Sequence, residues 1–418
     1  MEFTRFHASL VAEKDVLSEG KAAISGLFAG ISKYRMPDRR NSMVRMVHMD
    51  KFLKGRGLFF AIYQGYNGCY VADLCARILH KEVKSRLQHD GCGVEKVKAA
   101  FDKAYQKIDE IQLYGGGETP FKRWSGCSAV TCLVIGETLY VANAGSVRGF
   151  ILRENHTLRC ITSSHDLYNR KERLRVRKNG GLVLRTEKCA LVNGVLDTTR
   201  GLGNQGDRRL KVCVINKPRF RAVNLQSSDK LLVLASEGVW KVFGFSDVVF
   251  LLSKYIQDAL CKKLLSREDL LKMETREGIE LLTVPPVHLD SEYEAFLRQR
   301  HVSSIDNLWS PKMQWKPDNP AVSIRRAPTA VQDTPEPKDV EKNSYFTETE
   351  QVDEDLQALA KLLISFNADS SFVRREIARL LSKHLLKCAL LAGAETNNGV
   401  IIIMFKEFDL EEFECKVG

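Results

Sequence analysis

The glycine spacing of Gly201-Leu-Gly-Asn-Gln-Gly206 is that of a loop able to cradle a phosphate through its backbone N–H groups. A dinucleotide site also needs a strand before the loop and an apolar helix start after it. Asp207-Arg208-Arg209 follows here, so the spacing alone carries no such site. Soft-metal chemistry is equally unsupported. The 11 cysteines are scattered, odd in number and never spaced as CxxC, and the nine histidines form no HxxxH pair. Such cysteines read as reduced thiols, mostly small core residues. Asn155-His-Thr157 has a glycosylation spacing and Arg39-Arg-Asn-Ser42 a basophilic kinase spacing. An intracellular chain would not use the first and the second reads as chance, whereas Thr334-Pro335 is a candidate phosphorylation site.

Charge is distributed unevenly. The 418 residues carry a formal charge of +11, and residues 165–222 alone hold 15 Lys or Arg against five Asp or Glu. Such a run reads either as a solvated face or as a docking surface for an acidic or phosphorylated protein. Few aromatics are interleaved with the charges, so nucleic acid is an unlikely partner. With 44% hydrophobic and 28% charged residues, the chain has a soluble globular composition. The N-terminal residues lack the apolar core of a secretory signal. The apolar runs at Val248–Leu252 and Val400–Phe405 are far shorter than the ~20 residues of a membrane helix. The expectation is an intracellular protein, cytoplasmic or nuclear, with no membrane partner.

The elements that would position any chemistry come in blocks. Gly20–Ser32 could supply a first strand, and Leu58–Tyr63 is a buried-strand run ending in Gln64-Gly65. Val71, Leu74, Cys75, Ile78 and Leu79 recur at helical spacing, and a second stripe runs from Val94 through Ile111. Ser128–Ile135 and Leu139–Ala142 flank a hairpin turn at Gly136-Glu137. Gly149–Leu152 and Thr157–Ile161 flank another at Glu154–His156. Leu231–Ala235 is a buried strand leading into a helix at Gly238. Helical periodicity returns at Leu356–Leu391, before a last strand at Gly399–Phe405. Blocks of strands and helices predict an α+β fold with antiparallel sheets and helix pairs packed outside them. Residues 1–19 read as an N-terminal extension, 20–284 as the first part of the domain, and 351–418 as its C-terminal part. Between them, 285–350 holds most of the chain's 11 prolines and reads as a largely disordered insertion.

Four segments, in order, resemble the type 2C, metal-dependent serine/threonine protein phosphatase family. Leu58–Gly68 is similar to the family's FFAVYDGHGG, and Gly126–Arg148 to GSTAVVALI…LYVANAGDSR. Leu231–Val242 is similar to FLILACDGLWDV, and Thr396–Met404 to DNMTVIVV. Two weaker stretches also fit in order, Arg40–Met46 against RxxMEDA and Val195–Asn204 against LAVTRALGD. The resemblance implies an α-β-β-α sandwich of two antiparallel sheets. It also implies two Mn²⁺ or Mg²⁺ ions that bridge a hydroxide nucleophile and are held chiefly by carboxylates.

The frames persist while the acids do not. The Glu and Asp of RxxMED are Val44 and Arg45. The Asp, Gly and His of DGHGG are Gln64, Gly65 and Tyr66. The Asp of AGDSR is Ser146, that of RALGD is Asn204, and that of DNMTV is Thr396. The two acids of DGLWD are Glu237 and Lys241, so Glu237 is the one carboxylate kept across these motifs. The resemblance therefore implies an inactive member: a pseudophosphatase with its Mn/Mg sites lost and no cofactor. It would act by binding a protein or phosphoprotein partner, with segment 165–222 as the docking face. The alternative is a weakly active or altered-metal phosphatase. Arg40 matches the family's phosphate-contacting arginine. Arg45 is expected to pair with Glu237, since a lone buried carboxylate is costly.

Overall fold

Strands β3 (Gly57–Tyr66) and β4 (Gly126–Ile135) are buried at every position but the last. Such strands need cover on both faces, and the alternation of side chains shows what supplies it. Phe59, Ala61 and Tyr63 of β3 pack with the helix pair α1 (Tyr70–Asp90) and α2 (Val94–Gly115). Leu58, Phe60 and Ile62 pack instead with a second sheet, through Leu232, Leu234, Ile401 and Ile403. The computed structural model describes residues 27–34, 43–115, 120–186, 189–274, 347–364, 371–394, 398–406 and 408.

The sheet containing β3 also holds β2 (Val44–Phe52), β5 (Thr138–Ala144) and β11 (Arg219–Asn224). Its order is β11-β5-β4-β3-β2, with the short β10 (Leu202–Gly203) paired to β4. The second sheet comprises β1 (Leu27–Tyr34), β6 (Arg148–Arg153), β7 (Leu158–Cys160), β12 (Asp229–Ala235) and β13 (Asn398–Phe405). Its order is β1-β13-β12-β6-β7, and the pairings within both sheets are antiparallel. Helices α7 (Phe245–Glu274), α8 (Thr347–Ile364) and α9 (Ser371–Leu391) cover its outer face, where Leu252, Ile256, Leu359, Ile377 and Leu381 pack on Phe150, Val233 and Ile402. The four layers are the α-β-β-α sandwich expected from the sequence. β1 passes α9 closely: a Cβ at Gly30 would fall on the Ala378 carbonyl.

Boundaries differ from the sequence reading in two places. β1 starts at Leu27, and residues 20–26 lie outside the described part. α8 starts at Thr347, ahead of the boundary drawn at 351. The remainder of the insertion, with Thr334, and the extension 1–19 lie outside the described residues.

Candidate functional site

The two sheets end together where several turns converge. Gln64 lies near the end of β3, in register with Ser128 of β4. Ser146 sits in the turn between β5 and β6, and Glu237 opens the short helix α6 (Glu237–Val242) that follows β12. The Gln64 side-chain oxygen accepts from the Glu237 backbone N–H at 2.8 Å, satisfying one of the free donors at the start of α6. The Ser146 hydroxyl donates to Glu237 Oε2 at 3.0 Å and lies 3.1 Å from Ser128 Oγ. One helical turn on, Lys241 places Nζ 2.6 Å from Glu237 Oε1. The same ammonium lies 3.5 Å from Asp197 Oδ2. Below the turn, His165 Nδ1 accepts from the Gly145 N–H at 3.1 Å and supports the loop that carries Ser146. Burial, with Arg200 nearby, pushes the His165 imidazole down to about 3, so the ring is neutral.

Asp197 and Glu237 titrate as a pair. Burial and the Glu237 charge push Asp197 up to about 6. Burial alone would raise Glu237 too, but Lys241, Asp197 and Ser146 overcome it and hold the carboxyl below its ordinary range. Just below about pH 6 the pair shares one proton between its two carboxyls. A carboxyl whose pKa rises on folding destabilises the fold progressively as pH climbs from its unfolded value to its folded one. Asp197→Asn removes that effect. The variant should gain on the native protein between pH 4 and 7 by on the order of 1 kcal/mol, a figure reduced for solvent screening. Urea denaturation at the two pH values reads the difference, and equal gains at both would contradict it.

Asp197 is absent from the acids found by motif matching. It lies inside Val195–Asn204, at an apolar position of the family pattern, and only the fold brings it to Glu237. The pairing expected between Arg45 and Glu237 is not made. Arg45 Nε lies 2.6 Å from Asp73 Oδ1 on α1, and Glu237 takes Lys241 instead. The reason is strand alternation: Val44 is fully buried between the sheets, so its neighbour Arg45 points to the helical face. Gly65 donates its N–H to the Met43 carbonyl at 2.7 Å.

Tyr66 is drawn away from the cluster. A Cβ at Gly126 would fall inside its ring, and one at Gly201 would lie 2.6 Å from its hydroxyl. The phenol occupies the room these glycines leave, and burial raises its pKa far above the ordinary value. Asn204 sits in the left-handed region at φ 58°, donating its N–H to the Ser125 carbonyl at 2.8 Å. Its amide atoms are buried and have no hydrogen-bond partner among the described residues. Arg40 and Thr396 lie outside the described residues. Two residues after Thr396, Asn398 accepts from the Ser236 hydroxyl at 3.2 Å, fixing the residue before Glu237.

The protein-family model described as "Protein phosphatase 2C" matches residues 31–271, more than half of the chain. The chain belongs to the protein phosphatase 2C family. Among curated relatives, human "Protein phosphatase 2C-like domain-containing protein 1" is 26% identical over 75% of this chain and 54% of its own length. Bovine "Integrin-linked kinase-associated serine/threonine phosphatase 2C" is 30% identical over 57% of this chain and 59% of its own. The chain thus spans little more than half the length of these relatives. A solved "C.elegans sex determining protein" superposes with a TM-score of 0.56 at 15% identity, covering 95% of this chain and 68% of that one. A Toxoplasma gondii phosphatase superposes at 0.50 and 13% identity, covering 91% of this chain and 93% of that one. These two structures share the fold.

Within this protein phosphatase 2C fold, the basic segment is a folded unit. It contains α4 (Arg170–Lys178), the hairpin of β8 (Val183–Arg185) and β9 (Ala190–Val192), and α5 (Arg208–Cys213). Leu167, Val176, Val192, Leu196, Leu210 and Val214 form its core, with Tyr66 packed against it. Several of its cations are internal. Arg200 and Arg175 hold Glu172 at 2.6 and 3.0 Å, and Lys211 pairs with Asp109 and donates to the Gly203 carbonyl. Among the described residues of the segment, nine cations, including Arg170, Lys171, Arg177, Lys178, Arg208 and Arg209, are exposed. The same segment exposes Tyr168, Leu174, Leu182, Leu184, Val195 and Val212. Among the described residues, no helix is long and apolar enough to cross a membrane, and no group of three or more His, Cys, Asp or Glu is placed to hold a metal ion.

Proposed function

We propose that this chain is a catalytically inactive protein phosphatase 2C relative, a pseudophosphatase that acts by binding a protein or phosphoprotein. The observation that carries the reading is the Lys241 ammonium 2.6 Å from Glu237, the one acid kept at a family position. A pair of divalent cations needs several carboxylates around it and tolerates no fixed cation among them. The donors here are Glu237, already paired, and Asp197, which shares a proton with it just below about pH 6. Gln64 Oε1, which accepts from the Glu237 N–H, and Ser146 Oγ, which donates to the Glu237 carboxylate, are neutral oxygens and offset none of the metal charge. This donor set does not fit the family's Mn/Mg pair, and no hydrolytic step is derived through it. The alternative, a weakly active phosphatase with an altered metal, has the two remaining carboxylates in its favour.

Binding falls to the basic unit, where exposed cations and exposed apolar side chains share one segment. Apolar residues beside cations favour an acidic peptide over a purely solvated face. Acidic phosphoserine peptides should bind with an affinity that weakens as salt rises. Reversing Arg170, Lys171, Arg177 and Lys178 to Glu should weaken that binding about tenfold or more. Fluorescence anisotropy at two salt concentrations measures both effects. Unchanged affinity in the reversed variant would exclude this face.

A further inference from the structure

Building on the metal-free reading, we propose that Lys241 is a resident cation. Its ammonium stands between Glu237 and Asp197 where a dissociable cation would otherwise bind, and it closes this carboxylate pair to metal ions.

Three features of the contacts carry the inference. The ammonium meets two carboxylates from separate elements, Glu237 on α6 at 2.6 Å and Asp197 of the basic unit at 3.5 Å. Both oxygens of the Glu237 carboxylate are engaged: Oε1 faces Lys241 and Oε2 takes the Ser146 hydroxyl. The carboxylate is also mostly buried, with its side chain 20% exposed, and Lys241, 56% exposed, reaches it from the solvent side. An ordinary i,i+4 pair involves one carboxylate in water and contributes little. A second acid from a distant part of the chain has no place in that description.

The tether decides the competition. Lys241 is one helical turn from Glu237, so its ammonium is present at a high effective concentration that neither dialysis nor a chelator removes. An incoming dication must displace it or accept its repulsion at a few ångströms. With the ammonium removed, the remaining oxygens of Glu237, Asp197 and Ser146 form an acidic, partly buried set of hard donors, the kind that holds one divalent cation weakly.

The test is calorimetric and thermal-shift titration of Mn²⁺ and Ca²⁺ into the native protein, Lys241→Met, Lys241→Arg and the double variant Lys241→Met/Asp197→Asn. Lys241→Met should bind Mn²⁺ about tenfold or more tighter than the native protein and show a larger cation-induced rise in melting temperature. Lys241→Arg keeps the charge and should behave as native. The double variant should lose the gain. Should Lys241→Met fail to fold, Lys241→Gln replaces it in the same comparison. Equal Mn²⁺ affinity in native and Lys241→Met would overturn the inference, as would a double variant that binds as well as the single one. Its failure is distinct from that of the pseudophosphatase reading: tight Mn²⁺ binding with turnover in the native protein sinks the latter, whereas inertness of both native and variant sinks only the former.

Discussion

Replacing Glu172 by alanine should cost the folded protein about 3–5 kcal/mol. Glu172 is nearly fully buried and accepts from Arg200, Arg175 and the Thr199 hydroxyl. Burial alone would raise its carboxyl, but the hydrogen bonds and charge of Arg200, joined by Arg175, bring it down to about 2. Its removal leaves two partly buried guanidinium groups without their carboxylate. Thr199 also donates to the His165 carbonyl, and His165 in turn supports the turn carrying Ser146. The loss should therefore reach the Glu237 cluster. A carboxyl lowered by folding stabilises above its unfolded pKa, and that stability fades as pH falls. The native unit should lose about 3 kcal/mol between roughly pH 4.5 and 2, while Glu172→Ala lacks this acid transition. Limited proteolysis within the segment, followed against pH, reads both. A variant with native protease resistance and native acid sensitivity would contradict the assignment.

Tyr66→His, which installs the family residue, should destabilise by on the order of 2 kcal/mol and restore nothing. The ring fills space over Gly126 and Gly201 and joins β3 to the core of the basic unit. An imidazole is smaller, and its polar atoms would enter an apolar contact. If Tyr66 instead faced the Glu237 cluster, the exchange would be nearly neutral in a denaturation curve. Tyr66→Phe separates packing from the hydroxyl. The hydroxyl is buried without a partner among the described residues, so its removal should cost little.

The sheets and helices were legible because buried runs and helical stripes are local signals. Leu58–Tyr63 and Leu231–Ala235 read as buried strands, and β3 and β12 are where they stand. The polar site was legible only in part. The exchange of acids for other residues could be read position by position, whereas the new partners could not. Arg45 was assigned to Glu237 by its place in a motif, yet the alternation set by Val44 turns it to Asp73. Tyr66 depends on Gly126 and Gly201, residues far along the chain that make room for its ring. Asp197 lay inside a recognised segment at a position with no assigned chemistry. The charge count over 165–222 was correct, but part of it is internal, because Arg175, Arg200 and Lys211 hold the unit together.

On the proposed reading, a lysine ammonium rather than a metal pair balances the acids at the end of the two sheets. Calorimetric titration of Mn²⁺ and Mg²⁺, with phosphoserine-peptide hydrolysis measured on the same sample, tests it most directly. The account predicts no saturable heat in the micromolar range and no turnover above that of buffer. Micromolar Mn²⁺ binding, with hydrolysis that Glu237→Ala abolishes, would contradict it.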